Sequence, residues 1–121
     1  MRKEILLAHY PKITHQRYQT LLAAFSDLDS AWQAKAADFK ATRWKDDIIQ
    51  DFFHWKSRLD EDKISQTLKT DNIYCITIDS PLYPSLLKTI YDPPFCLFVR
   101  GELNRLKFPL AVVGPRKYSP Y

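Results

Sequence analysis

Apolar residues recur at helical spacing through the first 70 positions and switch to strand-like runs afterwards. Residues 2–9 read as a short helix stopped by Pro11, which cannot donate a backbone hydrogen bond. Thr14 then suits the N-cap of a second helix, with Ile13 and Tyr18 at hydrophobic-staple spacing. Tyr18, Leu21, Leu22 and Phe25 keep the three-and-four spacing of one buried face. Ser26, Asp27, Asp29 and Ser30 punctuate the turn that follows, and residues 31–37 are rich in helix formers. Trp44, Ile48, Phe52, Trp55 and Leu59 continue an apolar stripe, read as helical core rather than as a platform for stacking bases. Asp46, Asp47 and Asp51 beside it are acidic, whereas stacking platforms sit in basic grooves. Asp60, Glu61 and Asp62 meet the positive end of a further helix that runs to about Lys69 and exits through Asp71 and Asn72.

The character changes at residues 70–72. Residues 73–78 are β-branched and aromatic and too short for a helix. Pro84 fits the first position of a helix over residues 85–90. Pro93 and Pro94 forbid helix, so residues 95–99 predict a second strand; Gly101 allows a turn, and residues 109–113 predict a third strand. The expected class is α/β. Residues 1–70 form a helical domain, and residues 71–121 form the start of a second domain.

Composition adds constraints. The 121 residues are 45% hydrophobic and 26% charged, with only 2 glycines. Folds that cradle phosphate need glycines where backbone approaches the ligand, so the phosphate-handling loops are expected to be mostly missing from this chain. The net charge of +4 is uneven: residues 1–65 carry 11 Lys/Arg against 10 Asp/Glu, and residues 66–121 carry 7 against 4. The basic excess gathers at Arg100, Arg105, Lys107, Arg116 and Lys117, where it can attract a phosphate backbone through counterion release or form an ordinary solvated face. Cys75 and Cys96 fall in apolar runs and read as buried free thiols. No apolar run approaches the length of a membrane span, and the short apolar stretch near the N-terminus is no signal peptide, so the expected location is cytoplasmic.

Catalysis finds little support in the residue pattern. His9, His15 and His54 are scattered, without metal-ligand spacing to the cysteines, and are expected on helix surfaces. No nucleophile triad, paired carboxylate site or phosphate-binding glycine motif is present. No cofactor is expected.

The sharpest signal is an ordered series in the last third of the chain. Tyr83, Pro84, Leu87, Ile90, Asp92, Pro93, Pro94, Leu97, Phe98 and Gly101 are followed, after a gap, by Ala111, Val112, Val113, Gly114 and Arg116. Residues and spacing closely resemble the signature of the DNA-processing protein A family (DprA, also called Smf). That resemblance implies a non-catalytic mediator of natural transformation that binds single-stranded DNA and loads the RecA recombinase. It also implies a Rossmann-like parallel-sheet domain and a homodimer in the full-length family. The all-helical front resembles, more loosely, the SAM or helix-hairpin-helix module of that family. Because nothing follows residue 121 to pair the third strand, the chain is expected to be the front part of a longer protein. Most of the strand-binding pocket and the self-association surface would then lie beyond it.

On this resemblance Gly114 and Arg116 would contact DNA phosphate, with Lys117 and Ser119 as secondary contacts. The planar guanidinium of arginine can engage two phosphate oxygens at once. Pro115 departs from the family pattern, replacing a hydroxyl residue and removing a backbone N–H, which weakens the expected pocket. Tyr83, Pro84, Asp92, Pro93 and Pro94 read as architectural, with Asp92 capping a turn. Two alternatives stand beside this reading. One is a stand-alone helical module that binds protein or DNA. The other is a nucleotide-binding enzyme of the related Rossmann-like superfamily.

Overall fold

The structure, a computed structural model, describes residues 1–103, 110–117 and 120. Five α-helices lead the chain: α1 (Lys3–Leu7), α2 (His15–Ala24), α3 (Leu28–Gln33), α4 (Asp46–Ser57) and α5 (Glu61–Thr70). Thr14 caps α2 as its position predicts, its hydroxyl accepting from the Arg17 N–H, and Asp60 caps α5 by accepting from the Lys63 N–H. The first helix is shorter than the sequence suggests. Residues 31–37 are not one helix either. α3 ends at Gln33, and a 3-10 stretch, Ala36–Thr42, takes over. Arg43 closes that stretch with a left-handed φ of 62°, and Asn72 turns the chain out of α5 at φ 53°, a conformation asparagine tolerates well.

The helices pack around one aromatic cluster. Phe39 and Phe52 are fully enclosed, with Leu7, Tyr10, Tyr18, Leu21, Ile49 and Trp44 beside them. Phe52 touches the rings of Tyr10, Trp32, Phe39, Trp44, Phe53 and Trp55. Trp44 and Phe52 of the predicted stripe are therefore core, whereas Ile48, Trp55 and Leu59 are only half-buried at its edge, and Leu22 on α2 faces solvent at 40% exposure. Two polar groups in the core are matched: Trp44 Nε1 donates to Thr20 Oγ1 at 2.9 Å, and the Thr42 hydroxyl donates to the Phe39 carbonyl. Asp51 on α4 accepts from both the Tyr10 hydroxyl (2.8 Å) and the Lys12 ammonium (2.9 Å), which fastens the α1–α2 turn to α4.

Two strands follow, β1 (Ile73–Thr77) and β2 (Cys96–Arg100). They pair antiparallel, from Ile73 opposite Arg100 to Thr77 opposite Cys96. This corrects the parallel arrangement expected here. A parallel crossover needs a long connection, usually a full helix. The intervening segment forms only a five-residue 3-10 turn, Ser85–Thr89, with Pro84 as its cap rather than its first residue. The segment returns to its starting point, where the Ile78 N–H bonds to the Phe95 carbonyl at 2.9 Å, so the chain runs back beside β1 in reverse. The predicted third strand is also corrected: residues 110–113 form no strand, and Leu110, Val112 and Val113 are 86%, 90% and 92% exposed.

The strands are not separate from the helices. Phe95 and Cys96 belong to the helical core cluster, and Phe95 stacks on Tyr18 of α2 at 4.1 Å between ring centroids. Cys75 and Cys96 are free thiols on one face of the sheet; Cys96 is buried, while Cys75 is only half-buried. Burial, then the neighbouring Cys75, pushes the Cys96 thiol up to about 12 from 9.0. Burial likewise pushes Tyr18 up to about 12 from 10.0. Both folded-state values lie above the unfolded ones, so the stabilisation is complete below pH 9 and is lost as pH rises from 9 towards 12. Melting temperature is therefore expected to fall steadily above pH 9, and Cys96→Ala is expected to flatten the first part of that fall.

Candidate nucleic-acid interface

The proline-rich motif forms a bracket rather than a binding surface. Tyr83 is buried, and its hydroxyl donates to the Pro94 carbonyl at 2.6 Å across the loop that carries Asp92. Asp92 Oδ1 accepts from the His15 backbone N–H at 2.7 Å, at the first turn of α2. It thus caps a helix 77 positions away in sequence, in addition to the cap supplied by Thr14. A carboxylate suits that place because it meets unpaired N–H groups at the positive end of the helix. Pro93 is buried, and Phe95 beyond it enters the helical core. The bracket thus docks the segment of residues 83–95 on α2. Asp92→Ala is expected to cost about 1 kcal/mol, and Asp92→Asn distinctly less; urea unfolding of the three proteins checks the order.

The sequence pattern puts His15 on a helix surface. Instead it lies half-buried at the start of α2, with Nδ1 enclosed and without a hydrogen-bond partner among the described residues. It lines a cleft of about 300 Å³ between α2 and the Asp92–Pro93–Pro94 loop.

Gly114, Arg116 and Lys117 lie on an exposed stretch with no regular structure. A side chain at Gly114 would meet nothing within 4 Å. Arg116 and Lys117 form no ion pair with a described residue, so their charges face solvent. The structure brings neither of them into a pocket; it presents them along an open stretch beside the exposed Val112 and Val113. Ser119, Arg105 and Lys107 lie outside the described residues. Arg100, the remaining member of the basic group, is engaged elsewhere. It reaches Asp71 at the end of the hairpin, donating from Nε to the backbone carbonyl at 3.1 Å and facing the carboxylate at 3.6 Å. No group of three or more His, Cys, Asp or Glu side chains among the described residues is placed to hold a metal ion.

Residues 74–121 match the family model of the DNA recombination-mediator protein A. That stretch begins in β1 and includes the whole bracket and the exposed basic residues. Residues 74–121 are a DprA-family segment. The chain is also similar to the DNA processing protein DprA of Bacillus subtilis (strain 168), at 34% identity over 61 residues. That similarity covers 49% of this chain and 20% of the relative, so the chain matches only about a fifth of the relative's length. No solved structure matches the chain.

The DprA segment accounts for the bracket but not for all the basic charge. No helix among the described residues is long and apolar enough to cross a membrane. Sequence reasoning recognises the motif residues as architectural but misses what they hold. The His15–Asp92 contact joins positions from the two ends of the chain, and no local pattern announces it. The nearest signal is Thr14, which marks the helix start that Asp92 completes.

Proposed function

We propose that this chain is part of a DprA-type mediator that binds single-stranded DNA and passes it to a RecA-type recombinase, without catalysing a covalent step. The observation that carries the reading is the coincidence of the DprA segment with the basic half of the chain. Within that segment, the backbone at Gly114 is open, and Arg116 and Lys117 stand free of ion pairs with described residues, so both can meet phosphate without breaking an ion pair. Ser119 would add a hydroxyl to the same stretch. Cytoplasmic residence and self-association of the whole protein belong to this reading.

In the same reading, residues 71–121 begin a Rossmann-like domain that follows the helical domain of residues 1–70.

The test is binding of a fluorescent thymidine oligomer across a salt series. The expected affinity is micromolar or weaker at physiological salt, with strong salt dependence. Arg116→Ala is expected to lower the slope of log affinity against log salt by about 0.7, the value of one single-strand phosphate contact. An unchanged affinity and slope would remove Arg116 from the interface.

A further inference from the structure

A second concave surface lies on the helical side of the molecule, outside the DprA segment. It is a cleft of about 470 Å³ between the end of α1, the last turn of α4 and the first turn of α5. Its floor is apolar, made by the half-buried Trp55, Leu59 and Ile64. Four nitrogen-bearing side chains stand around it: His9 after α1, His54 on α4, Arg58 in the α4–α5 turn and Lys63 on α5. All four are exposed, and none pairs with a carboxylate among the described residues.

One carboxylate, Asp60, shares the cleft, but its Oδ1 is occupied by the Lys63 backbone N–H at 3.0 Å as the cap of α5. His9 is oriented by its Nδ1, which lies 2.7 Å from the Ile5 carbonyl, and by an edge-on contact with Phe98. Arg58 meets the negative end of α4, which favours a cation there without using up its side-chain donors.

Arg58 and Lys63, cations without a carboxylate partner among the described residues, stand beside an apolar floor and fit a ligand with a flat, weakly polar body and an anionic group. The volume lies within the range of small-molecule sites. We propose that this cleft binds a phosphorylated nucleoside, with the base against Trp55, Leu59 and Ile64 and the phosphate held by Arg58 and Lys63. The nucleoside is either a free nucleotide or one unit of a single strand. The cleft shares no residue with the 110–117 stretch, so the two sites stand or fall separately.

The experiment is a nuclear magnetic resonance titration of the 121-residue chain with sodium phosphate, thymidine monophosphate and a hexathymidylate, following the His9 and His54 imidazoles and the Trp55 indole. The expected result is movement of all three signals with the thymidine ligands and a smaller response to phosphate at equal concentration. Equal affinity for the mononucleotide and the hexamer identifies a free-nucleotide site; a response to the hexamer at far lower concentration identifies a strand site. R58Q/K63Q, both changes on exposed side chains, is expected to weaken binding at these signals at least fivefold. For the hexamer it is also expected to lower the salt slope by about 0.7 for each phosphate that the two side chains no longer neutralise. Signals that stay fixed, an equal response to bare phosphate, or a double variant that binds like the parent would overturn the proposal. Arg116→Ala in the same titration keeps the two sites apart: signals in the cleft that still move, with total oligomer affinity unchanged, would count against the 110–117 stretch alone.

Discussion

Phe52→Ala is expected to remove about 3–5 kcal/mol of stability. Phe52 is 1% exposed and touches six other aromatic rings, from Tyr10 after α1 to Trp55 on its own helix. Removing the ring opens a cavity that stiff neighbouring rings fill poorly, because each is already packed against others. Edge-on and stacked ring pairs add about 0.5–1.5 kcal/mol each beyond simple burial. Small domains hold only about 5–15 kcal/mol in total, so the variant should unfold at a much lower urea concentration. Phe53→Ala on the same helix is the comparison. Phe53 is only half-buried and borders two aromatic rings, Phe39 and Phe52, so its loss should cost clearly less. Equal midpoints for the two variants would show that the cluster is not organised around Phe52.

Phe95→Ala is the second large effect, expected at about 3–5 kcal/mol by the same reasoning. Its ring is 4% exposed and lies nearly parallel to Tyr18, with 10° between the planes. What separates it from Phe52 is its place in the chain. Phe95 is the first apolar residue after Pro93 and Pro94, and its carbonyl receives the Ile78 N–H at the open end of the sheet. Losing the ring should detach the strands from α2 as well as lower stability. Tryptic cleavage after Lys88 and Arg100 should accelerate at denaturant concentrations where the helices still give their native circular dichroism. If cleavage and helix loss keep step at every concentration, the strands and helices form one cooperative unit, and the cost of Phe95→Ala is simply spread across it.

The helical part is legible because its signals are local. Thr14 and Asp60 cap the helices that their positions predict, and Asp71 and Asn72 end α5 where expected. Steps of three and four place Trp44, Phe52 and Trp55 on one face, yet the pattern passes over Ile49, which is 5% exposed, and wrongly includes Leu22. Each helix buries a stripe wider than a single row of positions, so a strict row catches its centre and misplaces its margins. Residues 31–37 depart for another reason. Helix-forming composition there carries little apolar periodicity, and propensity alone does not hold a helix without a face to bury.

The strand region is legible in place but not in pairing. β-branched and aromatic runs at residues 73–78 and 95–99 announce two strands, and the prolines before the second mark its start. Direction depends on whether the connection crosses over, and the 3-10 turn of Ser85–Thr89 is too short to carry β2 to a parallel position. The third predicted run has the right residues without a neighbour among those described. Strand propensity becomes a strand only when another backbone supplies hydrogen bonds.

By itself the sequence determined the starts of α2 and α5, the end of α5, the change from helix to strand near residue 71, and the DprA signature with Gly114 and Arg116 at its end. These are carried by neighbours a few positions apart, where capping, side-chain spacing and proline geometry act. Only the tertiary structure decided that Asp92 caps α2, that Phe95 joins the aromatic core, and that His9, His54, Arg58 and Lys63 surround one cleft. Such contacts depend on how elements far apart in the chain pack together, and packing is settled by the whole set of buried faces at once.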